Sequence, residues 1–95
     1  VSIEVGQQYL ARVYITLKPG VLDPQGEAVK QGLVTMGYEG VKEVRVGKYL
    51  EVLLEAEDSQ KAFKQVDEMC RRLLANPVIE RYSYEIAQAG EGSKV

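Results

Sequence analysis

The residues with chemical reach in this 95-residue chain fall into four groups. The first is Lys18-Pro19-Gly20-Val21-Leu22-Asp23-Pro24-Gln25-Gly26, where a strand end passes through a rigid loop into a helix start. Backbone N–H groups at such a start can cradle an anion. Asp23 stands at the N-cap with Pro24 at the first helical position, so its carboxylate would occupy those donors and repel a phosphate. The glycine-rich phosphate loop ending in Lys and Ser or Thr is missing too, which leaves a capped corner as the reading. The second group is Lys18, Arg45 and Lys48, either solvated surface charge or a basic protein-contact surface near one end of the sheet. The third is Cys70, which lies on an apolar helical stripe with no histidine to activate it and is read as core. The fourth is the tyrosines. Tyr9, Tyr14, Tyr49, Tyr82 and Tyr84 all fall on predicted strands, but divided between faces, so packing is favoured over base stacking.

Missing residue types narrow the chemistry further. The chain has no histidine, no tryptophan and one cysteine, which excludes a Cys/His metal site or Cys–His nucleophile within a single chain. An independent enzyme would have to work with carboxylates, lysines or tyrosines. Net charge is −2 with both signs interspersed, which argues against a nucleic-acid binder. No apolar run approaches the roughly 20 residues of a membrane span, and the N-terminus lacks the pattern of a signal peptide. A lone cysteine fits a reducing compartment, so a cytoplasmic protein is expected.

Positioning these residues requires one domain, expected over residues 9–87, with a flexible leader or expression remnant at 1–8 and a flexible tail at 88–95. Alternation predicts a first strand over 9–17, with Tyr9, Ala11, Val13, Ile15 and Leu17 on one face. A helix follows over 24–36, burying Ala28, Val29, Leu33 and Met36, with Gly32 packed closely on the sheet and Gly37 ending it. Residues 41–46 and 49–56 read as a hairpin turning at Gly47-Lys48, with Gly47 at positive φ. Glu57-Asp58-Ser59 starts a second helix that runs to about residue 75. Its stripe is Ala62, Phe63, Val66, Met69, Cys70, Leu73 and Leu74, and its outer face carries Asp67–Arg71 and Glu68–Arg72 pairs. Asn76-Pro77 stops it, and a last strand covers 78–86. The order β-α-β-β-α-β predicts an α+β fold, with two helices on one face of a four-stranded antiparallel sheet. The second face would carry Leu10, Tyr14, Tyr49, Leu53 and Ile79, enough apolar surface to predict a homodimer or higher oligomer.

The segments Lys18 to Gly26, then Val44-Arg45-Val46-Gly47-Lys48, then Leu74-Ala75-Asn76-Pro77-Val78-Ile79-Glu80 resemble the PurS family. These are small subunits of phosphoribosylformylglycinamidine synthase in purine biosynthesis, and the resemblance covers about residues 9 to 86. It implies a subunit without catalytic, cofactor-binding or metal-binding residues of its own, acting in a glutamine-dependent C–N ligase. The complex converts formylglycinamide ribonucleotide, ATP and glutamine into the amidine, using ATP, magnesium and glutamine held elsewhere. The implied partners are a PurL-like synthetase and a PurQ-like glutaminase, which the small subunit bridges while assisting ammonia transfer. Lys18, Pro19, Asp23, Pro24, Gly26, Arg45, Gly47, Lys48, Asn76, Pro77 and Glu80 match the family segments and are assigned to subunit contacts or fold-defining turns. The alternative is a ligand-sensing module of the ACT type, which shares the element order and binds small amino acids through the loop after the first strand.

Overall fold

Apolar side chains at every second position make residues Gln7–Leu17 the central strand, β1, of the computed structural model, in which residues 6–89 are described. The strand starts two residues before the predicted position. Residues 1–5 of the expected leader, and 90–95 of the expected tail, lie outside the described residues. Tyr9, Ala11, Val13 and Ile15 are buried on one face, as the alternation predicts.

A type II turn follows β1. Val21 N–H donates to the Lys18 carbonyl at 3.1 Å, Pro19 sets the first central position, and Gly20 takes φ 88° at the second. Asp23 then caps α1 (Pro24–Thr35), with Pro24 as its first residue. The helix closes with paired bonds from Gly37 N–H to the Val34 carbonyl and Tyr38 N–H to the Leu33 carbonyl. That Schellman ending needs Gly37 at φ 104°.

The expected hairpin does not form. Residues 41–46 are neither helix nor strand, and one strand, β2 (Gly47–Ala56), runs through the position of the predicted turn. The reason is where the backbone bonds go. Val46 N–H is taken by the Asp23 carboxylate, and Gly47 enters the ladder opposite Thr16. A Cβ on Gly47 would stand 2.5 Å from the Ile15 carbonyl oxygen, so glycine is needed for close approach and not for positive φ.

The second helix, α2 (Ser59–Met69), is capped by Asp58, whose carboxylate accepts from Lys61 N–H at 2.8 Å. It ends six residues early, in a π-helical turn over Cys70–Leu74. Val66 and Cys70 are buried against Ala11, Val13 and Ile15, and Ala62 against Tyr9 and Ala56, while Phe63 and Leu73 of the predicted stripe are exposed. Each fully buried Val or Ile there contributes about 1.5–3 kcal/mol. Arg71 Nε donates to Asp67 at 2.9 Å, whereas Glu68–Arg72 forms no ion pair among the described residues. The last strand, β3 (Glu80–Gln88), starts two residues later than predicted, because Asn76 holds residues 77–79 in a turn.

The result is an α+β fold with a three-stranded antiparallel sheet in the order β2-β1-β3, in place of the expected four strands. Of the two α-helices among the described residues, α2 lies on the sheet. Helix α1 stands away from it, leaving Val29 and Met36 exposed and Gly32 facing open space, contrary to the predicted stripe. On the other sheet face Tyr14, Tyr49 and Leu53 are exposed as expected, but Leu10 is buried and Ile79 belongs to the turn before β3.

Candidate functional site

One end of the sheet gathers the three segments singled out in the sequence. Asp23 is the centre. Its Oδ1 accepts from Gly26 N–H at 2.9 Å, closing the first turn of α1. Its Oδ2 accepts from Val46 N–H at 2.8 Å, tying the chain's return to the corner from which it left. The carboxylate is buried and holds its proton less readily than an ordinary aspartate, chiefly through the Val46 N–H, then through Gly26 N–H. Both oxygens are thus occupied, which fits the capped corner and not an anion cradle.

Arg45 fastens the same corner from outside. Its guanidinium donates to the carbonyls of Val21 at 3.3 Å, Leu17 at 3.4 Å and Lys18 at 3.1 Å, with Glu43 at 3.8 Å. A planar fork suits three carbonyls in a way that a lysine does not. The other cations face different ways. Lys48, at the start of β2, reaches the Leu74 carbonyl at 3.4 Å and Glu80 at 3.7 Å, joining β2 to the third segment.

That third segment is a locked knuckle. Asn76 Oδ1 accepts from Val78 N–H at 3.1 Å, and the Asn76 carbonyl accepts from Ile79 and Glu80 N–H at 3.1 and 2.7 Å. Glu80 Oε1 accepts in return from Asn76 N–H at 2.7 Å. Lys18 N–H donates to the Ile79 carbonyl at 2.8 Å, which brings the knuckle beside the β1–α1 turn. Asp23, Pro24, Gly47, Lys48 and Glu80 line a shallow recess of about 290 Å³ between the segments. Pro19 and Pro77 stand exposed at its surroundings, and Gly26 is buried beneath Val44.

The remaining candidates are structural. Cys70 is fully buried, and desolvation, followed by the charge of Asp67, pushes its thiol up. Tyr14 and Tyr49 pair on the outer face, with ring centroids 5.2 Å apart. Tyr82 and Tyr84 lie on the inner face, and both hydroxyls donate to Asp67 Oδ1, at 3.1 and 3.2 Å. Among the described residues, no three side chains are grouped to hold a metal ion, and no helix is long and apolar enough to cross a membrane. Sequence reasoning missed two features of this end. Arg45 binds carbonyls, which no local pattern signals. Leu73 and Val78 are held outward, and only the turn chemistry of Asn76-Pro77 hints at the latter.

Comparison with known proteins adds a family to this geometry. Residues 10–88 match the family model PurS, described as phosphoribosylformylglycinamidine (FGAM) synthase. A PurS subunit of that synthase from Synechocystis is 54% identical over 82 residues, covering 86% of this chain and 82% of its own. The crystal structure of Methanocaldococcus jannaschii PurS superposes with a TM-score of 0.77 at 39% identity, covering 86% of this chain and 99% of that one. A chain in the PurLQS structure from Thermotoga maritima has a TM-score of 0.73 at 32% identity, covering 85% and 96%.

Proposed function

The chain belongs to the PurS family, and on that premise we propose that it works as the small subunit of phosphoribosylformylglycinamidine synthase, a glutamine-dependent ligase of purine biosynthesis. The observation that carries this reading is the family match over residues 10–88, which spans all three converging segments. The ACT-like alternative gives way to it, and at the Asp23 corner the carboxylate already takes the Gly26 and Val46 N–H donors.

Within the complex this chain contributes contacts. It has no histidine, and its one thiol is buried with its proton held tightly, so it brings no activated base or nucleophile to the reaction. ATP, magnesium and glutamine belong to the larger subunits, a PurL-like synthetase and a PurQ-like glutaminase in the cytoplasm. In this reading the chain bridges them and assists ammonia transfer, with the end built on Asp23, Arg45 and Asn76 as its contact surface. Mixing the two larger subunits with and without this chain tests the reading. Glutamine-dependent synthesis should need the chain, while synthesis from added ammonia should not. Equal glutamine-dependent rates in both mixtures would refute it.

A second copy belongs to the same proposal. The radius of gyration is 17.9 Å, against about 12 Å for a compact chain of this length. Accessible surface is 6948 Å², against about 5,500 Å² for a compact fold of this mass. The excess comes with an outstanding α1, a free β2 edge, and inner-face residues Leu50, Val52 and Leu54 that are only half covered. An exchanged homodimer resolves all three: α1 of one copy covers β2 of the other, and residues 41–46 extend its sheet. That arrangement restores, between two chains, the four strands and two helices that the element pattern implies. Sedimentation of the isolated chain should give a dimer mass, and a stable monomer would refute the exchange.

A further inference from the structure

Among the described residues the edge of β2 away from β1 is unpaired, and its bonding groups follow from the register. The Gln8 carbonyl accepts from Ala89 N–H at 2.7 Å, and Lys18 N–H donates to Ile79 at 2.8 Å. Even-numbered residues of β1 therefore bond towards β3 and odd-numbered ones towards β2. The β2 partners of the odd set are Lys48, Leu50, Val52 and Leu54, so Tyr49, Glu51 and Leu53 turn their backbone groups to the open edge. A turn at Gly47-Lys48 would let residues 41–46 of the same chain take that edge. The strand runs straight through instead.

Side-chain parity works against closing. Val44, Val46, Leu50, Val52 and Leu54 keep one period-two set across the joint, and the last three pack on the core. A two-residue turn would set Val46 opposite Tyr49 and Arg45 opposite Leu50. Opposed residues share a face, so Val46 would go outward with Tyr49 and Arg45 inward. A three-residue turn sets Val46 opposite Leu50, but its left-handed position falls on Tyr49 instead of a glycine. Closing also carries Val46 to the far edge of β2. The β1–α1 corner stays on the other side, tied to β3 through Lys18 and Ile79, so the 2.8 Å bond from Val46 N–H to Asp23 Oδ2 belongs to the straight form alone. We propose that Gly47-Lys48 is an exchange hinge: too short for the chain to close with its apolar face inward, and latched straight by Asp23, it commits α1 to a second copy. This rests on the exchanged homodimer above and names the residues that enforce it.

The test lengthens the joint in the full chain and follows mass by analytical ultracentrifugation. Asn-Gly inserted between Gly47 and Lys48 gives a five-residue loop that can set Val46 opposite Leu50 without a left-handed tyrosine. That variant should sediment as a folded monomer, with a melting temperature independent of protein concentration. The same two residues inserted between Gly40 and Val41 lengthen the connection outside the joint and should leave the dimer intact. Asp23→Asn keeps an acceptor for Gly26 N–H and loses the one for Val46 N–H. It should raise the dimer dissociation constant about tenfold for each copy's latch, which keeps the proposal refutable if the lengthened joint does not fold. A lengthened joint that still dimerises as tightly as the parent would overturn the proposal, as would monomers from both insertions or an Asp23→Asn dimer of parental tightness. A parent chain that sediments as a monomer would instead overturn the exchanged dimer, and this proposal with it.

Discussion

Gly26→Ala sets two effects of known sign against each other. Alanine in place of glycine inside a helix gains about 1 kcal/mol from propensity, so a reading from sequence alone makes the change stabilising. The structure reverses the sign. A Cβ on Gly26 would overlap the Val44 carbonyl oxygen and come within 2.8 Å of Asp23 Oδ2. Val44 O is backbone, so relief requires the returning chain to move, and Val46 N–H with it. Overpacking of this kind costs about 1–3 kcal/mol, with the upper end expected where backbone must yield. The net expectation is a loss of about 2 kcal/mol, or roughly 10 °C in melting temperature for a domain of this size. Gly32→Ala is the internal control. Its Cβ meets nothing within 4 Å, so the propensity gain of about 1 kcal/mol should appear in full. Thermal unfolding by circular dichroism at matched protein concentration reads both. A Gly26→Ala protein as stable as the parent would refute the packing of Val44 over the start of α1. A destabilised Gly32→Ala protein would show that another chain covers that side of the helix.

Two more predictions concern ionisation. The Asp23 carboxyl is held down by Val46 and Gly26 N–H, and the Asp67 carboxyl by the Arg71 guanidinium and the Tyr82 and Tyr84 hydroxyls. A depressed folded pKa means that the unfolded chain takes up the proton first. The stability from both groups is therefore complete above about pH 4 and lost as pH falls through the folded values. Denaturant midpoints should fall below about pH 4, less steeply in Asp23→Asn; identical pH profiles for variant and parent would contradict this. Cys70, buried and with its thiol pushed up, should resist a disulfide reagent in the native protein and react on unfolding, and rapid labelling of the folded chain would contradict its burial.

The parts of the fold legible in the sequence are those set by neighbours a few residues apart. The Asp23 cap, the helix start at Glu57-Asp58-Ser59, the Gly37 ending, the Asn76-Pro77 stop and the alternation of Tyr9 to Ile15 each follow from local sterics or period. Distance defeated the remainder. Residues 41–46 have strand-forming composition, but their fate turns on Asp23, which takes Val46 N–H from 23 positions away. The stripe of α1 is a correct amphipathic pattern, but no surface among the described residues of its own chain receives it. The π turn was invisible because one widened turn leaves no compositional mark. At the site, turn chemistry located the three segments, while their convergence depended on the Lys18–Ile79 and Lys48–Glu80 contacts between remote parts of the chain.

The sheet order β2-β1-β3 has a kinetic consequence. With β1 in the centre and no hairpin among the described residues, none of the three strands pairs with one close to it in sequence. Ladder partners range from Thr16 and Gly47, 31 positions apart, to Gln7 and Ala56, 49 apart. Against β3 they range from Leu17 and Glu80, 63 apart, to Tyr9 and Gln88, 79 apart. Loop closure must therefore come before any sheet contact can offset it, which places this small chain among the slow folders despite its size. Its first strand leaves the ribosome long before either partner exists, carrying Val13 and Ile15 uncovered. For this protein the vulnerable interval is synthesis itself, and the last strand to be made completes the sheet.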